Sequence, residues 1–164
     1  MMTADVPYDH HPIPTIPWIV TQLLPSPEMT SSGHAGMRWQ ITPVLYSFGM
    51  YRKLSPWRFF VIEPLTRVSG SFEAFVTPEL VALGPRADDW FVLRPGLRVT
   101  LPVVERGEYL SVSFAAGPWI HDGDLGSYWE TSAQTLFGIV GLAFTMSPGL
   151  KGAEYMFTLR IRYF

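Results

Sequence analysis

The chain contains no cysteine. That excludes a disulfide framework, thiolate catalysis and cysteine-ligated zinc, and it is compatible with the cytosol and with a cell envelope alike. Asparagine is absent too, and arginine outnumbers lysine ten to two. We read this as the compositional bias of a GC-rich genome, so the lack of asparagine at turns carries no structural message. Charge is scarce: 16% of the 164 residues are charged and the net charge is −2, against about 25% charged residues in an average soluble domain. No basic patch for nucleic acid is visible, nor a polybasic run for an anionic membrane surface. Long apolar runs are missing as well. The longest, LFGIVGLAF at 136–144, is far short of the roughly 18 residues that a spanning helix needs, and two of its residues are glycine. No stretch of ten or more residues carries a 3.6-residue period, so the sequence predicts no helix.

What the chain has is alternation. The final stretch, EYMFTLRIRYF at 154–164, places Tyr155, Phe157, Leu159, Ile161 and Tyr163 on one side of an extended strand, and Met156, Thr158, Arg160 and Arg162 on the other. The same period of two runs through the chain from Met37. The cleanest case is 91–103, where Leu93, Leu97, Val99, Leu101 and Val103 oppose Arg94, Gly96, Arg98 and Thr100. In 110–120, Leu110, Val112, Phe114, Ala116 and Ile120 oppose Ser111, Ser113, Ala115 and Gly117. Further runs fall at 37–51, 57–67 and 68–76. In the run 127–147 the polar residues occupy even positions at first (Tyr128, Glu130, Ser132, Gln134), after which the even positions turn apolar (Leu136, Val140, Leu142, Phe144). Such a switch implies a bulge or a turn near residue 135. Turn-forming clusters separate the runs, among them HDGDLG at 121–126 and SPGLKG at 147–152.

Residues 1–36 differ. Six prolines between Pro7 and Pro27 make regular structure unfavourable over most of the segment, with 16–24 apolar enough to form one short strand or a docking segment. The chain thus reads as a Pro-rich N-terminal segment, 1–36, followed by one all-β domain, 37–164.

The two faces suggest where side chains go. On the polar face, Arg94, Arg98, Arg160 and Arg162 match Glu73 and Glu130 as partners in a paired network, with Ser111, Ser113 and Gly117 leaving room. Aromatic residues collect at strand ends: Trp57, Trp90, Trp119, Tyr155, Tyr163 and the terminal Phe164. Trp and Tyr favour a bilayer interface, where the ring is half-buried and its polar atom stays wet.

Alternating strands closed by an aromatic-ended last strand resemble the small eight-stranded outer-membrane β-barrels of Gram-negative bacteria, the OmpA/OmpW/OmpX-like group. The likeness spans about residues 37–164 and rests on pattern rather than on a diagnostic motif; the apolar alternation is one position out of phase with Phe164. It implies a closed antiparallel up-and-down barrel of eight strands, placed in the outer membrane. It also implies contact with outer-membrane lipid and insertion by the barrel-assembly machinery. Trp57, Trp90, Trp119, Tyr155, Tyr163 and Phe164 would then be interface aromatics and the charged set a lumen network. Seven runs follow residue 36, so an even count needs either a first strand from 16–24 or a fold-back of 127–147; the first route, with a bulge near 135, is the expectation. An exported protein carries a signal peptide, and the first nine residues have neither a basic nor an apolar region, so the reading expects a leader removed or encoded upstream.

No motif names a reaction. His10 and His11 point apart in an extended chain and with Asp9 and His34 make a poor metal site, and His121-Asp-Gly-Asp124 lacks the spacing and closing Glu of a calcium loop. A lipid hydrolase would need His121 to meet Ser127 or Ser132 and Glu130, without any Gly-x-Ser-x-Gly. The expectation is therefore a non-enzymatic envelope protein with no catalytic residues, metal or cofactor. Its role would be structural, anchoring or interactive, the N-terminal segment touching an envelope partner and no nucleic acid being bound. The rival reading is a soluble lipocalin-like barrel with an apolar ligand inside.

Overall fold

The computed structural model describes residues 22–48, 70–81, 90–103, 110–135 and 140–161. They form nine antiparallel strands: β1 (Ser26–Thr30), β2 (Ala35–Arg38), β3 (Ile41–Phe48), β4 (Gly70–Val81), β5 (Trp90–Pro102), β6 (Ser111–His121), β7 (Asp124–Thr135), β8 (Val140–Met146) and β9 (Tyr155–Ile161). Neighbours in sequence are neighbours in the sheet from β3 through to β9. β9 then pairs with β1, β1 with β2, and β2 with β4, so eight strands close a ring. The all-β, closed eight-stranded barrel read from the sequence is the fold observed.

The ninth strand, β3, continues β2 along the same edge of β4. β2 occupies Glu79 to Val81, and β3 occupies Gly70 to Val76. Pro78 explains the interruption. Trp39 N donates to Pro78 O at 3.0 Å, but proline has no N–H to give back, so the ladder loses one bond where the two strands part. A register shift between Ile41 and Val44 follows, at Pro43.

One sequence expectation needs correction. The run 127–147 is not one bulged strand: it folds back as the hairpin β7–β8. Thr131 pairs with Phe144 and Gln134 with Gly141, so paired positions always differ in parity. The inward face must therefore switch from even to odd residues across the turn. Among the described residues the first strand is β1, Ser26–Thr30, inside the Pro-rich segment; of the expected strand at 16–24 only Gln22 to Leu24 are described, and they form a helical turn and bend. The remainder of 16–24 and the run 57–67 lie outside the described residues.

Strand directions give the barrel two ends. At one, β1 ends and β2 begins, β6 turns into β7 through Asp122 and Gly123, and β8 turns into β9. Asp122 and Gly123 have φ of 49° and 88°, the left-handed pair of a tight two-residue hairpin. The turn after β8 folds inward here: Ser147 N donates to Glu154 O, and Leu150 and Ala153 are buried beside Trp119, Val81, Val92 and Met156. These side chains plug that end. β1 starts and β9 finishes at the other end, where the interior carries Ser111, Ser113, Ser132 and Gln134.

Candidate functional site

The interior is charged and the exterior is apolar. Among the described residues, the buried charged side chains are Glu28, Glu73, Glu79, Glu130, Arg38, Arg94, Arg98 and Arg160, four of each sign. Leu97, Phe114, Leu142 and Phe157 lie outside with more than half of their surface free, as do Leu159, Trp129, Tyr155 and Met29 to a similar degree. Leu93, Val99 and Leu101 share the outward parity of Leu97 and are half-buried.

Register explains how the charges meet. Across four strands, Glu73 stands opposite Arg98, Arg98 opposite Ala115, and Ala115 opposite Glu130. Arg98 is paired with Glu73 at 3.2 Å and passes over the small Ala115 to reach Glu130 Oε1 at 2.9 Å. Its guanidinium also lies 4.2 Å above the Phe75 ring and donates to Gln40 Oε1 at 3.0 Å. Arg38 stands opposite Glu79 and is paired with it at 3.2 Å; its Nη1 reaches Glu130 Oε2 at 2.6 Å. Arg160 donates to Glu130 Oε1 and to Ser132 Oγ. Thr145, Glu130's neighbour on β8, donates its hydroxyl to Oε2 at 3.1 Å. One carboxylate thus accepts from three guanidinium groups and a hydroxyl. Arg94 pairs with Glu79 beside Tyr128 and Met156. Such charges, taken out of water, are stable only when paired and hydrogen-bonded; Glu130 is fully engaged, whereas both Glu28 carboxylate oxygens and the Nε atoms of Arg94 and Arg98 have no hydrogen-bond partner among the described residues.

The sequence-derived set divides as follows. Arg94, Arg98, Arg160, Glu73 and Glu130 all lie in this interior, and four of them are joined through Glu130 and Arg98; Arg94 joins through Glu79. Arg162 lies outside the described residues. The sequence reading missed Arg38, Glu79 and Glu28. Parity alone would have found Glu79, since Glu73, Phe75, Thr77 and Glu79 alternate inward along β4, but Pro78 cut that run short.

Of the interface aromatics, Tyr155 faces outward in an aromatic group with Phe144, which also meets Phe157 and Trp129 at centroid separations of 5.2 and 5.9 Å. Trp119 corrects the expectation: its ring is buried inside the plugged end, lying over Gly126, where any added Cβ would collide with it. Its odd position shares the inward parity of Ser111, Ser113 and Ala115. Trp90 opens β5; Trp57, Tyr163 and Phe164 lie outside the described residues.

The hydrolase constellation is not assembled. His121 sits at the β6–β7 hairpin, its Nδ1 2.9 Å from Phe91 O. Ser132 is eight residues along β7 from that hairpin, about 26 Å at the usual strand rise, and is bonded to Ser113 at 2.6 Å. Ser127 faces the opposite side of β7, and the Glu130 carboxylate is taken by arginines. His34 meets Ser32 at 2.8 Å, and no group of three metal-ligating side chains occurs among the described residues. Compared with family models, curated proteins and solved structures, the chain matches none.

Proposed function

We propose that this protein is a non-enzymatic β-barrel of a Gram-negative outer membrane, with a structural, anchoring or interaction role in the envelope. The observation that carries the reading is the inverted polarity of the wall: among the described residues, four arginines and four glutamates lie inside, leucines and aromatics outside. A water-soluble barrel gains its stability from an apolar interior, whereas a barrel in lipid must present its apolar side chains outward. The dimensions support this. Outward residues of β5 run from Phe91 to Leu101; at about 3.3 Å per residue and a tilt of roughly 40°, they make a band about 25 Å tall, the height of the apolar band on outer-membrane barrels. An eight-stranded barrel is filled by its own side chains, and this one is closed at one end by Trp119 and Leu150, so wide solute passage is not the role we assign.

The lipocalin-like alternative places an apolar ligand in the lumen. The interior favours it less, because its middle is occupied by the ion-pair network. The test is extraction and gel migration. On our reading the chain needs detergent to stay in solution and migrates faster unheated than boiled, because the barrel stays folded in mild detergent. A monodisperse protein in plain buffer, with no shift on boiling, would favour the soluble barrel.

A further inference from the structure

One seam of the wall is interrupted in its middle. β4–β5 and β6–β7 are each paired without a break over eleven residue pairs. Between β5 and β6 the pairing runs from Pro102–Ser111 to Leu97–Ala116, stops, and resumes at Leu93–Ile120 in the same register, which sets Pro95 opposite Pro118. Val103 N donates to Leu110 O at 2.8 Å, and in an antiparallel ladder every second pair is hydrogen-bonded. Counted back by twos from Val103, the pair Pro95–Pro118 belongs to the bonded class. Such a pair exchanges two N–H···O bonds, and proline has no N–H, so both are lost at one place. The seam is unpaired from Leu93 to Leu97, about 13 Å at the usual strand rise.

A side chain from a third strand reaches into this gap. Tyr128 of β7 stands opposite Gly117 of β6, and its hydroxyl donates to Pro95 O of β5 at 3.3 Å. The acceptor is the carbonyl that residue 118 would serve if it had an N–H. Two glycines make the reach possible. A Cβ on Gly96 would collide with the Tyr128 hydroxyl, and one on Gly117 would collide with the Pro95 carbonyl. The Arg94 guanidinium lies 5.8 Å from the centroid of the Tyr128 ring. On the outer face the neighbours of Pro95 and Pro118 along their own strands are Leu93, Leu97, Ala116 and Ile120, none with a polar side chain to bridge the gap.

We propose that Tyr128 is a latch across this seam: its hydroxyl stands in for the cross-strand donor that Pro118 lacks, and the wall between β5 and β6 parts locally when that bond opens. In the uninterrupted ladders each backbone bond is backed by its neighbours, so no single bond can open the wall. Here the middle of the seam rests on one side-chain hydrogen bond. The gap lies in front of Arg94 and Trp119, which the same register sets opposite one another on the inner face, and Arg94 Nε has no hydrogen-bond partner. A local opening therefore uncovers the charged interior at this level while the flanking pairs hold the ring together. The inference concerns a movement of the wall and stands whether the surroundings are lipid or water.

Amide hydrogen exchange on the full-length protein, in the detergent or buffer that keeps it folded, tests the latch. By the alternation above, the amides of Leu93, Leu97, Ala116 and Ile120 point into the seam on either side of the gap, whereas that of Arg98 points to β4. Tyr128→Phe keeps the ring and removes the donor. The four seam amides are then expected to exchange at least about tenfold faster, the effect of one hydrogen bond of ordinary strength, while that of Arg98 keeps its rate. Pro118→Ala returns a backbone donor to the same carbonyl, so in that background Tyr128→Phe should change the four rates by less than about twofold. The denaturant midpoints of the same four proteins give a second reading: the drop caused by Tyr128→Phe should vanish with Pro118→Ala. Unchanged exchange and midpoint in Tyr128→Phe, an equal acceleration at every seam, or an effect that survives Pro118→Ala would each overturn the proposal.

Discussion

Glu130 is the residue on which the interior depends. Its two carboxylate oxygens accept from Arg38, Arg98, Arg160 and Thr145, all buried. Neutralising it leaves three guanidinium groups with one fewer counter-charge in a site poor in water, and breaking a buried pair costs about 3–5 kcal/mol. Glu130→Gln should therefore lower the denaturant midpoint by a corresponding amount, whereas Glu154→Gln, at an exposed turn position, should stay within about 0.5 kcal/mol. On the outer face the sign of the environment is what matters. Leu97, just over half exposed, is a near-neutral site for Arg if water surrounds it. In the proposed bilayer, Leu97→Arg should cost about 2–4 kcal/mol. Unfolding equilibria in lipid vesicles measure the difference.

The strands owe their boundaries to a few residues. Pro78 parts β2 from β3, and Asp122-Gly123 turns β6 into β7. The turn after β8 contributes tertiary structure as well as connection, since Leu150 and Ala153 complete the plug with Trp119. Truncating that indole should destabilise the barrel by about 3–5 kcal/mol, so a thermal scan of Trp119→Ala should show a clearly lowered transition. The alternation at 91–103 and 110–120 was legible because each strand presents one face to each environment, and the inward set Arg94, Arg98, Ser111 and Ser113 follows from it. The β7–β8 hairpin was misread because a parity switch is common to a bulge and a turn, and only pairing distinguishes them. Trp119 was placed at an interface because its position at a strand end was weighed above its parity. Arg38 fell on the polar side of the run 37–51 but was not joined to the network, because its pairing with β4 is distant in sequence; Glu28 was missed because it lies in the Pro-rich segment.

At the scale of the whole molecule, the buried arginines and glutamates among the described residues number four each, while apolar side chains face outward. A closed ring with paired charges within and leucine and aromatic residues outside is the polarity that the proposed bilayer setting requires. The most direct measurement of the central claim is the accessibility of spin labels at Leu97→Cys, Phe114→Cys and Phe157→Cys in protein reconstituted into lipid vesicles. Our account predicts that all three collide readily with oxygen, which concentrates in the bilayer, and hardly at all with a water-soluble nickel chelate. Free collision of all three labels with the nickel chelate, in a protein that stays folded and monomeric, would contradict it.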